Sequence, residues 1–217
     1  MGSAKKNSST RQARIAEMRR AEQARERRNR LLTIGTSVVI VAGLVVGGTF
    51  LIRSQSDDGG KADASKGKFV TGSDGVKTWD GELTQNHVQN TVDYLMNPPV
   101  GGDHNAVWQN CNGDVYTDEL KNEHAVHSLE HGSVWVTYND KAPEADVKAL
   151  TERVKKTPYS LMSPVEDQKD PIMLSAWGHQ RTVKSATDPD VDKFFEKYLQ
   201  GEQTPEPGAP CTGGVSK

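Results

Sequence analysis

The chain has 217 residues, 34% hydrophobic and 26% charged side chains, a formal net charge of −2 and two cysteines. The cysteine spacing excludes a CxxC metal or redox motif. The small net charge hides an asymmetry: residues 1–30 carry ten Lys or Arg against three Glu, a net of +7, whereas the residues after 52 carry 17 basic and 26 acidic side chains, a net of −9.

Residues 1–30 form a basic segment. Residues 11–30 combine strong helix formers with interleaved Glu. Such a stretch, with the lysines at 5 and 6, suits an anionic inner leaflet, where each Lys or Arg near the surface contributes ~1 kcal/mol. No aromatic stacking residue accompanies the charges, so no nucleic-acid partner is indicated. Residues 31–52 are an uncharged run of 22 residues, long enough for a helix to cross the ~30 Å hydrocarbon core of a lipid bilayer. Its length exceeds a signal-peptide core and no Ala-x-Ala site follows, so it reads as an uncleaved anchor. Gly43 and Gly47 have GxxxG spacing, a pattern too common in Gly/Val-rich spans to imply a paired helix. The positive-inside rule puts residues 1–30 in the cytoplasm and everything after Arg53 outside.

Residues 53–79 are rich in Ser, Gly, Asp and Lys and read as a flexible linker. Residues 80–200 then form one domain, large enough for a single modest core. Within it, residues 85–95 alternate weakly, as a short helix or strand. Residues 97–104, with consecutive prolines and glycines, form a loop. The pattern predicts a helix over 118–131 ending at Gly132, a strand over 133–138, and a helix over 144–155 opened by Pro143. A buried strand follows over 171–177, and a last helix over 188–199 turns Val191, Phe194, Phe195 and Tyr198 inward. The tail, 201–217, is Pro/Gly-rich and irregular. Outside the cytoplasm an isolated cysteine pair is most simply one disulfide, so Cys111 and Cys211 tie this tail to the domain. The element order is that of an α+β domain with a small sheet and packed helices.

The sharpest chemical signal is Glu123-His-Ala-Val-His-Ser-Leu-Glu-His-Gly132. Five of the six histidines fall between positions 87 and 131. On a helix His127 and His131 lie one turn apart and offer two imidazoles to one ion. His104, just after the Pro/Gly loop, and His87 supply the remaining candidate ligands. Glu123 and Glu130 flank the stripe, positioned to complete the shell, to orient a ligand or to act as a base. A site rich in imidazole and free of thiolate suits copper or zinc. Met96, Met162 and Met173 would add soft ligands for copper, although methionines at these spacings read first as core.

The series His87, Tyr94, Asn97-Pro-Pro-Val-Gly-Gly-Asp-His104, Trp108, Gly113, Tyr116, Glu123-His-Ala-Val-His-Ser-Leu-Glu-His-Gly132 and Ala176-Trp177-Gly178 resembles domain-of-unknown-function (DUF) family 3105. These are bacterial, often membrane-anchored proteins with PPxSGxH and ExxVHxLEHG motifs. The resemblance covers about residues 85–180 and implies a bacterial cell-membrane location. The chain departs from the pattern at Gly101, in place of Ser. His124 stands where the family often has Asn, and His179 lies beyond Ala-Trp-Gly, so neither is carried over as a ligand. The family has no settled activity. Three function classes stay open: a copper- or zinc-binding extracytoplasmic protein, a non-catalytic envelope interaction module with a structural histidine network, and a zinc hydrolase. The last would use His127-Ser-Leu-Glu-His131 as an HxxEH motif with Glu130 as its base.

Overall fold

The computed structural model describes residues 67–216. The basic segment, the expected anchor 31–52 and the first part of the linker lie outside the described residues. Among the described residues no helix is long and apolar enough to cross a membrane. In chain order the elements are β1 (Phe69–Thr71), β2 (Lys77–Trp79), β3 (Asn112–Val115), α1 (Asn122–Glu130), β4 (Val134–Tyr138), α2 (Glu144–Val154), β5 (Ser160–Pro164), β6 (Ile172–Ala176), β7 (His179–Thr182) and α3 (Pro189–Tyr198). The domain is α+β.

The strands make one seven-stranded sheet in the order β1-β2-β7-β6-β4-β5-β3. Pairing is antiparallel from β1 through β4, whereas β5 runs parallel to both of its neighbours. A parallel pair needs a crossover, and α2 provides it between β4 and β5. Successive side chains of a strand face opposite sides. Val134 and Val136 of β4 therefore join one core with Leu150, Val154, Phe194 and Tyr198 from α2 and α3. Trp135, between them, joins a second core with Ala125, Val126 and Leu129 of α1 and Leu161 of β5. The sheet is thus covered on both faces, with α1 alone on the side that carries the histidines.

Several elements follow the sequence pattern closely. In α3 the predicted residues Val191, Phe194, Phe195 and Tyr198 are buried, and Asp188 caps the helix by accepting from the Asp190 amide at 3.0 Å. Pro143 precedes α2, where it costs no hydrogen bond. Others differ. The helix expected over 118–131 begins only at Asn122. Glu119 instead turns its carboxylate to the Glu166 amide (2.7 Å), tying the approach to α1 to the segment after β5. Residues 69–71 and 77–79, read from sequence as linker, form β1 and β2, since β1 pairs with β2 and β2 with β7, which supplies the hydrogen bonds that composition did not announce. Residues 85–95 form neither a helix nor a strand beyond one bridge at His87. The buried strand β5 (Ser-Leu-Met-Ser-Pro) has no clear alternation, because both its faces are covered.

The disulfide joins Cys111 to Cys211, 100 residues apart in sequence. Both cysteines are buried in the α1-side core, and the Cys111 amide also donates to the Cys211 carbonyl at 2.9 Å. The tail has no regular element, yet it is packed against the face that bears α1.

Candidate metal centre

Three segments converge on α1. The first is the loop 97–104. Its Val100 carbonyl accepts from the Gly178 amide (2.7 Å), and its Pro98 carbonyl from Gln180 Nε2 (3.0 Å). Gly101 has a φ of +154°, and a Cβ there would meet Leu83 and Trp177 at 2.9 and 3.2 Å, so the loop lies flat against Trp177 only with glycine. The second is the strand-like stretch at His87. The His104 amide donates to the Asn86 carbonyl (3.0 Å) and the Val88 amide to the His104 carbonyl (2.7 Å). This bridge sets the two imidazoles beside each other, with ring centroids 5.1 Å apart. The third is the tail, whose Glu206 amide donates to the Glu130 carbonyl at 3.0 Å.

Helical spacing aligns His127, Glu130 and His131 on the covered side of α1. All three are buried, at 2–4% exposure, as is His104 at 0%. Glu130 Oε2 lies 2.9 Å from His104 Nε2 and 3.9 Å from the Nε2 atoms of both His87 and His127. His87, about half exposed, is the surface-facing member of this cluster.

The other ring nitrogen of each buried histidine is committed. His104 Nδ1 lies 2.8 Å from the Gly102 carbonyl, His127 Nδ1 2.6 Å from the Asn105 carbonyl, and His131 Nδ1 2.8 Å from the Pro210 carbonyl. A carbonyl only accepts, so Nδ1 carries the proton in all three rings. That leaves Nε2, the nitrogen that faces a carboxylate, as the atom each ring can turn to a cation. Backbone carbonyls holding Nδ1–H are how ligand histidines are commonly oriented toward a metal.

Electrostatics separates the rings. Burial, reinforced by the imidazoles of His131 and His104, pushes His127 down to about 4, so its lone pair stays open well below neutral pH. Burial lowers His131 as well. Burial also works to lower His104, but its hydrogen bond to Glu130 and the bond to the Gly102 carbonyl outweigh it, and the imidazole ends above its ordinary value. His104 Nε2 and Glu130 Oε2 are thus hydrogen-bond partners at 2.9 Å, a contact that an incoming cation would replace.

Among the described residues, two groups of side chains could hold a metal ion. His87, His104, His127 and Glu130 form one, and His127, His131 and Glu206 the other; within each, the ligand atoms lie within 4.8 Å of one another. Of the residues singled out from sequence, His87, His104 and His127 thus meet, with Glu130 inside the cluster rather than beside it. His131 falls into the adjoining group, its Nε2 3.7 Å from Glu206 Oε2. Glu123 is placed elsewhere, accepting from the Val92 amide at 2.9 Å. His124 bonds the Val107 carbonyl through Nδ1, and His179 stacks on Tyr198 at 4.5 Å, so both stand outside the two groups. Met162 and Met173 are core residues. Sequence reasoning missed Glu206 and the Trp108 ring, which lies 5.1 Å from His131 and 5.8 Å from His127. The single sequence signal for Glu206 was the cysteine that follows it and pins the tail.

A family model described as a protein of unknown function, DUF3105, matches residues 87–213. No curated protein and no solved structure matches the chain. The matched stretch is more than half of the chain, begins at the first cluster histidine and runs past both disulfide cysteines, and the chain belongs to the DUF3105 family.

Proposed function

We propose that this domain binds one transition-metal ion, copper or zinc, on His87, His104, His127 and Glu130. The observation that carries the reading is the shared orientation of the buried rings. His104 and His127 each tie Nδ1–H to a backbone carbonyl and turn Nε2 toward one buried carboxylate. A carboxylate in an apolar interior needs a positive partner. Three imidazoles offering lone pairs to the same small space provide a place for a cation, and this nitrogen-rich donor set suits zinc or copper(II). Glu130 stands among the ligand nitrogens, which favours a ligand over the water-activating base of a hydrolase.

The metal would be held outside the cytoplasm of a bacterial cell, on a domain anchored to the membrane by residues 31–52, with residues 5–30 against the anionic inner leaflet. The charge asymmetry and the single disulfide support that location.

The test is elemental analysis of the full chain, purified without a metal-affinity tag or chelator. About one equivalent of copper or zinc is expected, and its loss in the His104→Ala/His127→Ala double variant. A folded chain that stays metal-free after incubation with either ion would leave the histidines as a hydrogen-bonded network and overturn the reading.

A further inference from the structure

The two ligand groups share one nitrogen. His127 Nδ1 is spent on the Asn105 carbonyl, so only its Nε2 is open to a cation, and one lone pair holds one ion. His127 belongs both to the group with His87, His104 and Glu130 and to the group with His131 and Glu206, and Nε2 is the one atom it has left for either. Both positions cannot be filled through His127 at once.

We propose that His127, His131 and Glu206 form a second position for the same ion, and that the ion exchanges between the two positions without leaving His127. This rests on the metal-binding reading above and adds a route to it. His131 is as fixed as the ligands of the first position. It is 2% exposed, its Nδ1–H is held by the Pro210 carbonyl, and its own carbonyl accepts from Gln200 Nε2. Glu206 is held from the opposite side by its amide bond to the Glu130 carbonyl. Its carboxylate is 50% exposed, and His87 of the first position is 47% exposed. Each position therefore joins buried ligands to one ligand at the surface. Trp108, packed against both His127 and His131, walls the space beside the shared ring. An ion that gains His131 and Glu206 as it loses His104 and Glu130 is never without ligands, so exchange avoids the cost of a bare ion in a buried site.

The probe is zinc alone. The full chain is loaded with zinc, and release to a chromogenic chelator is followed by stopped flow in wild type, Glu206→Gln and His131→Ala. Wild type should hold about one equivalent, and both variants should keep it while releasing it about tenfold more slowly or slower still. Glu206 is half exposed, so its variant reports even if the buried His131→Ala substitution unfolds the chain. Unchanged or faster release in Glu206→Gln overturns the second position. Two tightly held equivalents in wild type overturn the sharing of His127. A wild-type chain that takes up no zinc defeats the metal-binding reading itself, a result distinct from one equivalent with unaltered release.

Discussion

His127 and Glu130 are the two buried side chains at the centre of the candidate site. For His127 the direction of the pH effect follows from its lowered value. Between its ordinary 6.5 and about 4, the unfolded chain takes up a proton that the folded chain refuses. Stability contributed by the neutral ring is therefore present above 6.5 and lost as the pH falls through that window. His131 and His179 are lowered too and act in the same sense. His104 is raised and opposes them, its contribution being present below 6.5 and fading as pH rises through its folded value. Below 6.5 the His104 contribution is already in place, so the metal-free chain should lose melting temperature from pH 6.5 to pH 4. Thermal melts in chelator across that range check it, and a flat or rising profile would count against the burial of these rings as neutral species. Gly132 makes a second residue-scale prediction. It sits at φ +87°, and a Cβ there would meet Gln200 Nε2 at 2.5 Å and Thr204 Cγ2 at 2.6 Å. Gly132→Ala should cost at least the ~1–2 kcal/mol of a left-handed L-residue, read by denaturant titration.

At the scale of elements, the site depends on helical phase in α1 and on two irregular segments brought to it. The helix supplies His127, Glu130 and His131 at fixed spacing, but the loop 97–104 and the tail supply the carbonyls that fix their rings. The opposite face of the sheet is more regular and can be perturbed separately. Asp188 caps α3, and hydrogen bonds from the amides of Asp190 and Lys184 hold its carboxyl below the usual range. Asp188→Ala should cost about 1 kcal/mol at neutral pH. A lowered carboxylate contributes above its ordinary 3.8 and ceases to as pH falls through its folded value, so the cost should shrink in acid. Metal content should be unaffected, since α3 packs on the core away from α1. Urea titrations at two pH values together with elemental analysis test both halves.

For the whole molecule, the disulfide links stability to the site. It closes a long loop between β3 and the tail, and it holds in place the segment that bears Glu206 and Pro210. Cys111→Ser/Cys211→Ser should lower stability by about 2–4 kcal/mol. It should also loosen the Pro210 hold on His131, so zinc release should slow, as expected for Glu206→Gln. Denaturant midpoints and the same stopped-flow assay measure the two effects on one preparation.

The sequence by itself determined the α+β class, the amphipathic α3, the central strands β4 and β6, the cysteine pair and the histidines worth watching. These are local matters: an apolar period, a proline before a helix, a glycine after one, and a rare residue type concentrated in one stretch. Only the tertiary structure decided how the candidate ligands divide. His127 and His131 look equivalent on a helical wheel, yet their neighbours come from distant segments. The His87–His104 bridge faces one ring and the disulfide-held tail faces the other. Glu206 has no local signature, because its role arises from a backbone bond to Glu130 across 76 positions of chain. Strands β1, β2, β3, β5 and β7 escaped notice for the same reason. Their stability resides in hydrogen bonds to partner strands and in burial on both faces, which no short window of sequence contains.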